Sequence, residues 1–177
     1  MVYSQGLIAL FNHCFLGSHN TLLVGGADEP EYLPEAGGSP ARIVFTRDYS
    51  ASALHEIAHW CVAGDARRRL PDYGYWYIPD GRNQQQQQQF EQVEVKPQAL
   101  EWIFSTACGL SFRISADNVE AALGPSQTFR HDIVSQVYDY CDYGLNPRAR
   151  QWVQALSQHF CTHGVLDKER YSLEALD

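Results

Sequence analysis

Positive charge is scarce in this sequence. Among 177 residues, 13 Lys and Arg stand against 21 Asp and Glu, a net charge of −8. A broad nucleic-acid surface needs the opposite balance, so the composition argues against direct nucleic-acid binding. Cysteine is sparse too. Five residues at 14, 61, 108, 141 and 161 form an odd, widely spaced set without a CxxC pair. That argues against a disulfide framework or a Cys-rich zinc site and points to free thiols in a reducing cytoplasm. No run approaches the roughly 18 apolar residues of a membrane span. The first twenty residues carry no basic stretch before their apolar ones, and read as an amphipathic helix rather than a signal peptide. Phosphate-cradling glycine motifs, a nucleophile elbow and a Cys–His signature are all missing.

What is present is ordinary for a folded chain: 45% hydrophobic residues and 12% aromatic ones. The expectation is one catalytic-size domain over residues 1–177 with a sizeable core. Leu7, Ile8, Phe11 and Phe15 recur at helical spacing, predicting a helix over roughly 3–16. Thr21 to Val24, closed by Gly25-Gly26, and Ala41 to Thr46 read as short strands, with a Pro- and Gly-rich loop from Ala27 to Pro40 between them. Ser50 is placed to cap a helix running to about Ala63. Tyr73 to Ile78 reads as extended. Six glutamines, Gln84 to Gln89, form the one low-complexity segment and read as a tolerated surface expansion. Phe90 to Ala107 is helix-like, with a start or a kink near Pro97, and helices follow over roughly 117–123, 127–143, 147–161 and 167–176. A few short N-terminal strands and a helical C-terminal half give an α+β fold.

The chemistry concentrates in His55-Glu56-Ile57-Ala58-His59, an HExxH. Two histidines four apart on a helix project from one face, one turn apart, so their imidazoles can converge on one metal ion. The stripe Ala53, Leu54, Ile57, Ala58, Cys61 and Val62 beside them is apolar and can hold that helix in the core. A third ligand is needed. Asp65 has the spacing of the long-motif metalloproteases, but Val62 replaces the glycine turn that precedes such a ligand. Glu91 and Glu94 lie three apart on a later segment, and Glu94, between Val93 and Val95, has the more apolar setting and is favoured. Glu56 does not point with the two histidines. It is the candidate catalytic residue, a general base in a hydrolase or a holder of water or a substrate amine in an oxidase. His13, His19, His131, His159 and His163 have no second ligand at useful spacing. Tyr75, Trp76 and Tyr77 could wall a pocket, with Asp80 meeting a cation.

Two His and one carboxylate serve zinc hydrolysis or iron(II) oxygenation equally well by ligand type, and a metal-stabilised adaptor domain is a third class. The stretches Asp28-Glu29-Pro30, Tyr32-Leu33-Pro34, Arg42 to Phe45, Ala51 to Cys61, Tyr73 to Arg82 and Phe90 to Trp102 resemble the bacterial elongation factor P hydroxylase family. The blocks around the histidines and around Glu91 to Trp102 are far more restrictive than a bare HExxH. The resemblance implies a cytoplasmic enzyme that hydroxylates a lysine of elongation factor P already carrying a β-lysyl group. It also implies a 2-His-1-carboxylate site for iron(II), which another divalent metal can occupy, on a fold unlike the jelly-roll oxygenases. The family's histidines carry over onto His55 and His59, and its carboxylate falls in the block holding Glu91 and Glu94, placed on Glu94. The alternative activity is a zinc-dependent HExxH peptidase with Glu56 as base.

Overall fold

The chain begins with an amphipathic helix, α1 (Ser4–His19), that buries Leu7, Phe11 and Phe15, one residue per turn on one face. The computed structural model describes residues 4–74, 81–116 and 124–176. Three strands follow: β1 (Thr21–Ala27), β2 (Glu31–Leu33) and β3 (Ala41–Thr46). They form one sheet in the order β1-β3-β2, with β1 parallel and β2 antiparallel to β3. Ile43 and Phe45 of the central strand are fully buried. β1 runs past Val24, where the sequence predicted its end, because a register shift between Val24 and Ala27 accommodates the glycines. A Cβ on Gly25 would come within 2.6 Å of the Phe45 ring and 3.0 Å of Arg47 O, so only glycine lets these strands close. The segment expected as a plain loop contains β2.

Helix α2 (Ser50–Val62) leaves the sheet directly after β3 and carries the HExxH. Its N-cap is Tyr49, which makes no side-chain cap, so Ser50 does not cap as expected. Ser52 instead ties the helix to β3, its Oγ accepting from Thr46 N at 3.1 Å. Ala53, Leu54, Ile57, Ala58, Trp60 and Cys61 are buried. Burying a side chain such as Leu54 or Ile57 is worth about 1.5–3 kcal/mol, which offsets part of the cost of holding polar groups on the same helix. The C-terminal carbonyls of α2 are satisfied from a distance: Asn146 Nδ2 and Arg148 donate to Cys61 O at 3.1 and 3.2 Å, and Arg148 also donates to Ala63 O at 2.6 Å. Both donors belong to the start of α5 (Pro147–Phe160), where Asn146 is the N-cap and Pro147 opens the first turn.

Helix α3 (Gln84–Cys108) is one 25-residue element with Pro97 inside it, not a helix starting near Lys96. The glutamine run is its first turns. Asn83 and Gln86 form a reciprocal capping box, with Gln86 N donating to Asn83 Oδ1 at 2.9 Å and Asn83 N to Gln86 Oε1 at 3.0 Å. Gln87 is buried, accepts from Arg82 Nε at 3.0 Å and donates to Ala116 O at 3.0 Å. Two of the six glutamines are therefore built into the helix start, which corrects the reading of the whole run as a surface expansion. Helix α4 (Gln127–Tyr143) is capped by Ser126, and the chain ends in two 3-10 turns, Lys168–Arg170 and Leu173–Leu176, where an α-helix was expected. The segment expected to be extended over 73–78 begins instead in a 3-10 turn, Pro71–Gly74, where Tyr73 has a positive φ of 58°; its remainder, 75–78, and the expected helix over 117–123 lie outside the described residues. The helices and the sheet share one buried core in which Phe11 and Phe15 meet Trp60 at 5.4 and 5.0 Å and Phe11 meets Trp152 at 5.5 Å. The fold is thus α+β, as expected. The five cysteines are free.

Candidate metal centre

Helices α2 and α3 pack against each other and bring two polar seams together. One seam is His55 and His59. The other is Glu94, Gln98 and Glu101, spaced four and three apart so that they share one face of α3. His59 Nε2 lies 3.0 Å from His55 Nε2. The Glu94 carboxylate closes the triangle, 3.3 Å from His59 Nε2 and 3.6 Å from His55 Nε2. An ion held by nitrogen and oxygen at about 2.0–2.2 Å separates its neighbouring ligand atoms by about 3.0–3.5 Å, so the two imidazole nitrogens, each facing a different oxygen of Glu94, stand close to ligand-to-ligand spacing. Among the described residues this is the group of His, Cys and carboxylate side chains able to hold an ion, its donor atoms all within 4.8 Å of one another.

The two histidines are more exposed than the carboxylate. The side chains of His55 and His59 keep 21% and 12% of their exposure, whereas Glu94 keeps 3%.

Neighbouring groups set the state of each candidate ligand. Burial alone would raise the Glu94 carboxyl, but His59, then His55, and a hydrogen bond from Gln98 bring it down to about 2. The Glu94 carboxylate is therefore ionised and available as a candidate ligand. Gln98 is itself fixed, its Nε2 donating to Ser115 O at 2.8 Å and its Oε1 accepting from Ser115 N at 3.1 Å. His55 Nδ1 donates to Glu101 Oε2 at 2.8 Å, leaving Nε2 to face the triangle. Burial opposes charge on His55, yet the Glu101 hydrogen bond and the surrounding carboxylates outweigh it and hold the imidazole well above its ordinary value. The carboxylates around His55 thus make this pocket favour positive charge. Glu56 lies beside the triangle, half-buried. Burial raises its carboxyl, and His55 and His59 act against that rise.

The other sequence candidates separate cleanly. Asp65 is exposed and paired with Arg68. Glu91 is turned away to α4, accepting from Ser126 N at 3.0 Å and from Ser126 Oγ at 2.6 Å. Tyr75, Trp76, Tyr77 and Asp80 lie outside the described residues. Sequence reasoning missed Glu101. Its signal was present: an acidic residue seven after Glu94 on the same helical face, between Leu100 and Trp102 in a run that is buried almost throughout. Outer partners of this kind fix ring orientation and raise ligand basicity. Glu101→Gln is expected to weaken metal affinity about 10–100-fold while leaving the helix pair intact, measured by metal titration and circular dichroism. Unchanged affinity would show that His55 is oriented without it.

Residues 10–171 match the family model described as elongation factor P hydroxylase. A Haemophilus influenzae protein named elongation factor P lysine hydroxylase is 46% identical to the chain over 173 residues, spanning 97% of each sequence.

Proposed function

The chain belongs to the elongation factor P hydroxylase family, and from that membership we propose that it hydroxylates the β-lysylated lysine of elongation factor P with molecular oxygen, using iron(II) at His55, His59 and Glu94. The observation that carries this reading is the 46% identity to a named lysine hydroxylase along 97% of both chains. The donor set fits the same assignment, since two imidazoles and one carboxylate on a single coordination face suit non-heme iron. Iron(II) held this way would leave coordination positions open and supply the oxygen chemistry that C–H hydroxylation needs. A zinc-dependent peptidase would use the same three ligands with Glu56 as general base, and the family match does not favour it.

The protein's own residues then have defined tasks. His55 and His59 would offer Nε2 to the ion, His55 giving up its Nε2 proton as the ion binds, and Glu101 holds the first ring in place. Gln98 orients Glu94. Glu56 receives the cationic end of the substrate or orders a water beside the reacting carbon. One catalytic domain contains these residues, built on the shared core of α1 to α5. Among the described residues no helix is long and apolar enough to cross a membrane, and a cytoplasmic enzyme acting on a translation factor is the reading we adopt.

The decisive experiment compares elongation factor P from cells with and without the protein by intact mass. A gain of about 16 Da on the modified lysine peptide, the mass of one oxygen, is expected only when the protein is present. In a purified assay with iron(II) and a reductant, β-lysylated factor should gain that mass with oxygen consumed, and unmodified factor should remain a poor substrate. Leaving a buried acidic group without its cation costs several kcal/mol, enough for strong discrimination. Cleavage of the factor without oxygen would select the peptidase.

A further inference from the structure

Next to the metal centre the backbone is held in a conformation that most side chains avoid. After α2 the chain makes a turn over Pro71–Gly74 in which Asp72 and Tyr73 have φ of 47° and 58°. Aspartate tolerates the left-handed region, but a bulky aromatic residue there is an outlier. Several contacts enforce it. Asp72 Oδ1 accepts from Tyr32 N at 2.8 Å, and Tyr73 O accepts from Arg67 at 3.1 Å. The Tyr73 ring stacks on Tyr32 at 4.2 Å between centroids and 17° between planes. Tyr32 is itself anchored by its hydroxyl, which donates to Arg68 O at 2.9 Å.

The turn places the Tyr73 ring nearly parallel to His59, 11° between planes and 6.4 Å between centroids. Tyr73 is 4% exposed, and its hydroxyl is a buried polar atom with no hydrogen-bond partner among the described residues. A buried hydroxyl without a partner is costly, and backbone strain held by surrounding contacts clusters at sites of function. Burial raises the phenol well above its ordinary value, and of the charged groups around it Glu56 acts most strongly in the same direction, so it stays protonated and able to donate. This hydroxyl is thus a donor without an acceptor among the described residues, on a ring beside the proposed metal centre.

We infer that Tyr73 is a specificity-determining residue: its hydroxyl donates to the amide carbonyl that joins the β-lysyl group to the substrate lysine. The inference rests on the proposed function. An unmodified lysine side chain ends in an ammonium group and offers donors only, whereas an aminoacylated lysine carries a carbonyl acceptor. The same hydroxyl thus rewards the modified side chain and gives nothing to the bare one, which is how a site built to hydrogen-bond one group rejects the analogue lacking it.

The test uses the full chain and Tyr73→Phe, which keeps the ring and its stack on Tyr32. Calorimetry without oxygen measures the affinity of each protein for β-lysylated and for unmodified factor. Metal content and melting temperature are measured alongside. Tyr73→Phe is expected to bind β-lysylated factor about 10–100-fold more weakly, to bind unmodified factor as the wild type does, and to keep its metal. It should melt at or above the wild-type temperature, because the free protein loses no hydrogen bond. In turnover the loss should appear in KM rather than kcat. Unchanged affinity for β-lysylated factor would overturn the inference, as would an equal loss on both forms. A clear fall in melting temperature or metal content would overturn it too, by showing that the hydroxyl serves the free protein. Wild-type protein that binds neither form also overturns it. Wild-type protein that binds β-lysylated factor without hydroxylating it would sink the proposed activity, and the Tyr73→Phe affinity would still decide the role of Tyr73.

Discussion

His59→Ala is expected to lose its metal and all detectable turnover while keeping its fold. His59 Nε2 lies 3.0 Å from His55 Nε2 and 3.3 Å from Glu94 Oε1, while His55 Nε2 lies 3.6 Å from the other oxygen of Glu94, so His59 takes part in two of the three contacts. Removing it leaves one imidazole and one carboxylate, a pair too weak to hold a divalent ion against water. Metal affinity should fall by about three orders of magnitude or more, a loss of ~4 kcal/mol. His55→Ala should have the same effect on metal and activity. It also strands Glu101, whose hydrogen-bond partner is His55 Nδ1, so His59→Ala is the cleaner variant. Both should fold, because Ala53, Leu54, Ile57, Ala58 and Cys61 keep the apolar anchoring of α2. Metal analysis of the purified variants, with circular dichroism beside it, checks this. Wild-type metal content in either protein would remove that histidine from the ligand set.

The ease with which these two histidines are found in the sequence has a simple cause. A spacing of four on a helix is a local property, and the apolar stripe that fixes the helix face is written in the same thirteen residues. Helices α4 and α5 are legible for the same reason: Ser126 before Gln127 and Asn146-Pro147 before Arg148 are start signals that act within one turn. Strand β3, with buried Ile43, Val44 and Phe45, is likewise announced by its own residues. What the sequence hides is set by distant partners. β2 is three residues long and exists because it pairs with β3. The glutamine run becomes helix because Asn83 caps it and because Gln87 reaches Ala116, 29 positions on. The left-handed Asp72–Tyr73 turn depends on Tyr32, 40 positions before Asp72. Glu101 is tied to His55 across 46 positions. Local pattern therefore picks out the histidine half of the candidate centre and favours Glu94 by its apolar setting, while the groups that orient both halves emerge only from the packing of α2 on α3.

Glu94 and Glu91 provide the sharpest contrast, because two residues three apart on one helix should fail in opposite ways. Glu94→Gln replaces an ionised ligand with a neutral amide, which binds a hard cation poorly, so metal and activity should be lost. The apo protein should lose some stability as well, since His59, His55 and Gln98 hold that carboxylate ionised in the folded chain, and the loss of metal is what sets this variant apart. Glu91→Gln should keep metal and activity and lose stability. Glu91 accepts from both the backbone N and the Oγ of Ser126, and Ser126 Oγ in turn accepts from Phe129 N to cap α4. An amide offers one accepting oxygen where the carboxylate offered two, so one of these donors loses its partner, at a cost of about 1–2 kcal/mol. For a chain of this size that is a melting temperature lower by about 2–8 °C. Metal content and thermal melts of the two variants separate the roles in one set of measurements. Retained metal in Glu94→Gln together with lost metal in Glu91→Gln would move the third ligand to Glu91 and reassign Glu94 as the residue that holds helices together.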